Sequence, residues 1–205
     1  MPLVRKTIAE SAPRAAGDVP SGLKSVSIDE RWSAARAAES PASLPALAEA
    51  LSRENEPRVR EAIFTAFARI ATPESALAAM PYLRADDASI RTGALDALRA
   101  MPRAAEAMLP QLLADDDPDV RLLACEIARP MNNSEGARML CELLEREPEA
   151  NVCAAAVEVL AEIADANALP ALSRCATRFP EDPFLAFAIK VAAERLGTVS
   201  ANPRV

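Results

Sequence analysis

The chain contains no histidine. That absence removes Ser-His-Asp and Cys-His catalysis, histidine-ligated metals and histidine-based pH switches. Aromatic residues make up only 3% of the 205 positions, and glycine occurs five times. Residues that favour strands are correspondingly sparse, while alanine and leucine, both strong helix formers, dominate the 51% apolar fraction. No apolar run approaches the roughly 18 residues a membrane-spanning helix needs. The first thirteen residues, MPLVRKTIAESAP, lack an apolar stretch long enough for a secretory signal. Lysine is nearly missing too: Lys6, Lys24 and Lys190 stand against twenty arginines, a bias typical of GC-rich bacterial genomes. The formal charge is −7, a poor match for a nucleic-acid backbone, which demands clustered Lys and Arg. These absences point to an all-helical protein of the bacterial cytoplasm, with neither nucleic acid nor membrane as partner.

What is present is a repeat. PRVREAIFTAFARI begins at Pro57, ASIRTGALDALRAM at Ala88, PDVRLLACEIARPM at Pro118 and ANVCAAAVEVLAEI at Ala150. Their anchors Val59, Ile90, Val120 and Val152 are 31, 30 and 32 residues apart. Apolar residues recur 4, 7, 8 and 11 positions after each anchor, as in Ile63, Ala66, Phe67 and Ile70. That spacing is one face of an α-helix. A second apolar stretch follows each first helix. Four of these five stretches share a pattern of Leu or Met followed by Pro, any residue and Leu, at Leu44-Pro45, Met80-Pro81, Leu109-Pro110 and Leu169-Pro170. The fourth stretch, around Met139-Leu140, lacks the proline. Units are expected near 29–57, 58–87, 88–117, 118–149 and 150–181, with 182–197 as a closing helix. Of the 17 prolines, those after Ser40, Thr72, Asp117 and Asp182 suit the first helical position behind an N-cap. For the prolines inside the second stretches, either those helices start late or they kink there.

A helix pair of about 30 residues opening P-x-V-R-x-x-A resembles HEAT repeats. It is similar in particular to the short bacterial HEAT-like repeats also found in phycobilin lyase subunits. The Ala-Leu-Gly ending common to that repeat's first helix is replaced here, for example by Phe67-Ala68-Arg69-Ile70. The resemblance implies an α-α superhelix of about five hairpins plus a C-terminal capping helix, a curved rod that binds proteins along one face. It covers roughly 29–197 of the expected repeat domain, 27–197. Residues 1–26 hold Pro2, Pro13, Pro20, Gly17 and Gly22 without periodicity and carry a charge of +2, leaving −9 for the rest. They are expected to form a flexible arm, and 198–205 a flexible tail.

Arg60, Arg91 and Arg121 follow the anchors in three successive units, and Arg31 opens the first. The simpler reading is a structural ladder to acidic residues in each preceding connection, with Asp87 and Asp117 among the partners. The functional reading is an arginine row for phosphate or carboxylate. Acidic connections recur along the chain, at Glu54/Glu56, Asp86/Asp87, Asp115 to Asp117, Glu145/Glu147/Glu149 and Glu181/Asp182. They suit helix N-termini, and could also align as an acidic edge that steers a basic partner. Cys125, Cys141, Cys153 and Cys175 form no C-x-x-C pair and read as small packing residues in a reducing compartment. Trp32 suits a cover for the open end of the core.

No carboxylate pair sits in an evident pocket, so no catalytic residue, metal or cofactor is expected. The expected function is a non-enzymatic protein–protein interaction scaffold or adaptor in a bacterial regulatory or assembly complex. The alternative is a lyase-like or chaperone-like subunit assisting cofactor attachment to another protein. The second-helix surface is the expected contact face, through Tyr82, Arg84, Gln111, Arg138, Glu142, Arg174 and Arg178.

Overall fold

The computed structural model describes residues 21–131 and 134–201, with the backbone alone at 198–201. Residues 1–20 of the expected arm and 202–205 of the expected tail lie outside the described residues.

Among the described residues six first helices lie side by side: α1 (Ile28–Ala37), α3 (Pro57–Ile70), α5 (Ala88–Ala100), α8 (Pro118–Ala128), α10 (Ala150–Ile163) and α12 (Pro183–Ala201). Each touches the next along the series. The second layer is α2 (Leu44–Leu51), α4 (Pro73–Ala79), α6 (Pro102–Glu106), α7 (Leu109–Leu112), α9 (Ser134–Arg146) and α11 (Leu169–Arg178). Together they make five hairpins and a closing helix, with no strand among the described residues. The four repeat segments begin where the sequence places them. Their face residues are buried, except that the anchor Ile90 is half-buried and so are Ile70, Met131 and Ile163 at the far ends of the segments. Phe67 is fully buried within the hydrophobic core. Burying such a ring contributes about 1.5–3 kcal/mol.

The prolines of the second stretches break those helices. In unit two α4 stops at Ala79 and a 3-10 turn, Met80–Arg84, carries Pro81 in its first turn. In unit three α6 stops at Glu106 and α7 opens with Pro110. In units one and five a short 3-10 turn precedes α2 and α11, which open with Pro45 and Pro170. Unit four, without the proline, has one uninterrupted helix, α9. The physical cause is the missing proline N–H and the clash of its ring with the carbonyl four residues back.

The boundary of the arm falls earlier than expected. Residues Ser21–Lys24 form a 3-10 turn against α1 and α2, with Leu23 buried. Arg31 then ties the next residues down, donating to the carbonyls of Ser25 at 3.0 Å and Val26 at 3.2 Å. Residues 21–26 therefore belong to the first hairpin. At the other end α12 continues past 197 to Ala201.

Candidate functional site

The arginine ladder runs forward as well as backward. Arg31 of α1 forms a two-pronged pair with Glu54, 2.7 and 3.1 Å, in the connection ahead of α3. Arg121 of α8 does the same with Glu147, at 2.8 Å on both prongs, ahead of α10. Arg60 reaches Asp87 at 3.5 Å. The carboxylate partner thus comes from the following connection, not the preceding one. The preceding connection supplies backbone carbonyls instead: those of Asp115 and Asp116 for Arg121, and of Ala85 and Asp86 for Arg91. The reason is the stagger of the stack. An arginine in the first turn points back across its own connection, and its long side chain also spans to the next hairpin's loop. Asp117 serves as the N-cap of α8, accepting from the Asp119 N–H at 2.9 Å.

The same contacts remove much of the acidic edge. Glu54, Asp115 and Glu147 each stand two residues ahead of a helix cap and accept the N–H of that cap, at 2.9, 3.0 and 3.0 Å. All three side chains are nearly covered. Burial pushes the Glu147 carboxyl up, but the Arg121 hydrogen bonds and the Glu149 N–H outweigh it and hold the group below the usual range. For Glu54 the Arg31 hydrogen bonds lead, with the same outcome.

The expected contact residues divide into two groups. Tyr82 is half-buried, its ring edge-on to Phe64 at 5.8 Å, and burial raises its hydroxyl. It supports the core. Arg84 is exposed and paired with Asp115, and Gln111 is exposed on α7. The other four come together on α9 and α11. Arg138 is paired with Glu135 and Glu142 along α9. Arg174 clasps Glu145 across the two helices at 2.6–3.0 Å. Arg178 donates to the carbonyls of Leu144 and Glu147, both at 2.5 Å. This face is charged but internally neutralised.

The concavity that sequence reading missed lies on the other layer. A groove of about 920 Å³ runs between α3 and α5. Phe64, Ile90 and Gly93 form its floor, with Ala68, Ala97 and Ala100 along its length. Gly93 is what lets Phe64 lie flat there: a Cβ at 93 would stand 2.6 Å from Phe64 Cδ2. The Phe64 ring is held from behind by Phe67 at 6.4 Å and by Tyr82. The anchor Ile90, whose counterparts Val59, Val120 and Val152 are buried, is half-open into this groove. At the rim Arg58 is engaged by Asp29 at 3.0 Å and lies over the Trp32 ring at 4.9 Å. Arg36 covers Trp32 at 4.8 Å as well, so the indole of the first unit is shielded by two guanidiniums. Arg60 is engaged by Asp87. Glu61 and Asp96 are exposed on the rim, and no ion pair holds either of them among the described residues. The rim cations are therefore spoken for and the rim anions are not. The only sequence signal was Gly93, a glycine inside a helix pattern where the other units carry Ala62, Leu123 and Ala155.

Residues 105–197 match the family model for HEAT repeats. This stretch is similar to HEAT repeats. No curated protein matches the chain. A designed armadillo repeat protein in complex with the peptide (KR)4 is 20% identical over 85% of this chain and 96% of its own, at a TM-score of 0.46. An engineered protein is 18% identical over 88% and 95%, at 0.44. The complex of CpcE and CpcF of phycocyanin lyase from Nostoc sp. is 17% identical over 95% and 100%, at 0.40. Within the HEAT-repeat stretch lie three buried cysteines, Cys125, Cys153 and Cys175, and the half-buried Cys141. Burial pushes the Cys125 thiol up to about 12. The Cys153 thiol of α10 donates to the Glu147 carbonyl at 3.7 Å, and the neighbouring Cys175 of α11, with burial, raises its pKa. Among the described residues no three His, Cys, Asp or Glu side chains gather as a metal site, and no helix is long and apolar enough to cross a membrane.

Proposed function

We propose that this HEAT-repeat protein is a non-enzymatic interaction scaffold whose groove between α3 and α5 receives a partner protein. The occupant suited to it is an apolar side chain flanked by a basic residue. The carrying observation is the pairing of an apolar floor, Phe64 and Ile90, with two unengaged carboxylates, Glu61 and Asp96, on its rim. Apolar burial gives affinity, and rim charges set orientation and association rate. The acidic rim and the net charge of −7 disfavour nucleic acid. Free, mostly buried cysteines and the arginine bias support a reducing bacterial cytoplasm as the setting. The reading moves the contact surface from the second helices, where Arg138, Glu142, Arg174 and Arg178 satisfy one another or the backbone, to the first.

The test is site-specific photo-crosslinking in the source cells. A photoreactive residue replaces Thr65 or Thr92 in the groove, and in parallel Arg138 or Arg174. Adducts from the groove positions that vanish in the Glu61→Lys/Asp96→Lys variant support the reading. Adducts confined to Arg138 and Arg174 would return the interface to the second helices and overturn it.

A further inference from the structure

Two features of the groove between α3 and α5 set what fits it. Its floor is apolar, with Ile90 half-open where the equivalent Val59, Val120 and Val152 are buried. Its rim carries Glu61 and Asp96, both exposed and held by no ion pair among the described residues. The rim cations Arg58 and Arg60 are engaged by Asp29 and Asp87. A matching occupant brings apolar side chains and cations of its own.

Residues 1–20 of the chain supply that chemistry. The run Leu3-Val4-Arg5-Lys6-Thr7-Ile8 sets two adjacent cations among large apolar residues and holds no acid. Elsewhere in these twenty positions Arg14 stands beside Pro13 and Ala15, and Val19 beside Asp18. The point of attachment lies close to the groove. Residue 20 joins Ser21, and the 3-10 turn Ser21–Lys24 packs on α1 and α2. Lys24 and Ser25 share a cavity with Glu56, and Glu56 also lines the groove. Packed helices stand 8–10 Å apart, so the groove lies about 15 Å from α1. Ile8 and Ser21 are 13 residues apart, and that length of extended chain spans roughly 45 Å. The other exposed apolar surface is the stripe Phe184, Phe187 and Val191 on α12, at the far end of the series of first helices. It stands roughly 40–50 Å from α1, a distance that leaves the link no slack.

We propose that residues 3–8 occupy the groove of their own molecule, setting Leu3, Val4 and Ile8 on the floor and Arg5 and Lys6 against Glu61 and Asp96. The segment is then an internal competitor for the partner protein, so the inference rests on the function proposed for the groove. A short tether gives a local concentration of about 1 mM, and a segment that would bind in trans at ~0.1 mM then fills the groove in about nine molecules of ten. A partner binds such a protein roughly tenfold more weakly than one whose groove is open.

Photo-crosslinking of the purified full-length protein tests this. A photoreactive residue at Thr65 or Thr92 forms an adduct within one chain, mapped by mass spectrometry to residues 3–8, with a yield independent of protein concentration. Arg5→Glu/Lys6→Glu lowers that yield at least about fivefold, and adding Glu61→Lys/Asp96→Lys restores it. In the source cells Arg5→Glu/Lys6→Glu alone raises the yield of groove adducts with other proteins. Absence of the intrachain adduct overturns the proposal, as does an equal yield from a photoreactive residue at Arg138. Adducts between chains make the occupant a second copy and overturn it as well. An adduct indifferent to the charge changes overturns the pairing with Glu61 and Asp96. Partner adducts in cells without the intrachain adduct overturn this inference alone, whereas the intrachain adduct without partner adducts overturns the scaffold function alone.

Discussion

Arg121 and Glu147 lie 26 residues apart in sequence and meet through two parallel 2.8 Å hydrogen bonds, with the Glu147 side chain 1% exposed. The pair clamps α8 to the loop that starts α10. Removing Arg121 leaves a buried carboxylate with its main partner gone. Arg121→Ala is expected to cost about 3–5 kcal/mol. Arg84→Ala removes an exposed partner of Asp115 and is expected to cost about 0–1 kcal/mol. Urea unfolding of both variants checks this, and equal costs would refute the clamp.

Acid should loosen the same joint. Glu147 and Glu54 have folded-state carboxyls held below their ordinary value of 4.5. A group depressed on folding contributes stability above its unfolded pKa and loses that contribution as pH falls through the folded one. Stability should therefore be level at neutral pH and fall as pH drops below 4.5. Glu147→Gln should be less stable at pH 7 yet show a shallower acid slope. Denaturation curves from neutral pH down into the acid range below the ordinary carboxyl value of 4.5 measure it. An unchanged slope in the variant removes Glu147 from the linkage.

Gly93 is the position where adding one methyl group should do harm. In a helix interior Gly→Ala ordinarily stabilises by about 0.8–1 kcal/mol. Here the new Cβ would stand 2.6 Å from Phe64, whose ring is fixed by Phe67 and Tyr82. Overpacking costs about 1–3 kcal/mol, so Gly93→Ala is expected to be destabilising on balance. A melting temperature above that of the wild type would show that the Phe64 ring moves freely.

Ala71 is the reverse case. It ends α3 in the left-handed region at φ 51°, its N–H donating to the Phe67 carbonyl at 2.9 Å. A Cβ is unfavourable there and glycine is the usual residue. Ala71→Gly is expected to raise stability by about 0.5–1 kcal/mol, relieving the strain that an L side chain carries in this conformation. Calorimetry showing a loss instead would contradict that.

Thiol labelling should follow burial. Cys125, Cys153 and Cys175 are buried, and burial pushes Cys125 up to about 12. In the native protein at pH 8 (about half a unit below a free thiol) only the half-buried Cys141 should react quickly with an aromatic disulfide reagent. Fast release from Cys125, seen by mass spectrometry of the labelled protein, would mean that its helix opens locally.

The sequence by itself determined the architecture. Val59, Ile90, Val120 and Val152 mark hairpins because a helix buries one face only if its apolar residues recur at helical spacing. The prolines determined where the second helices break, since Pro81 and Pro110 lack the N–H that a continuous helix needs, although the sequence left late start and kink open. Three things were decided by tertiary structure alone. The carboxylate that Arg121 takes is set by the stagger between hairpins, which no intra-repeat spacing encodes. The fate of Tyr82 is set by the ring of Phe64 on another helix, reached only once the hairpin closes. The groove exists because Gly93 of α5 and Phe64 of α3, 29 positions apart, are brought together by stacking. Local periodicity records which face of a helix turns inward. It does not record how neighbouring helices are offset, and that offset places the clamps, the groove and the exposed stripe of α12.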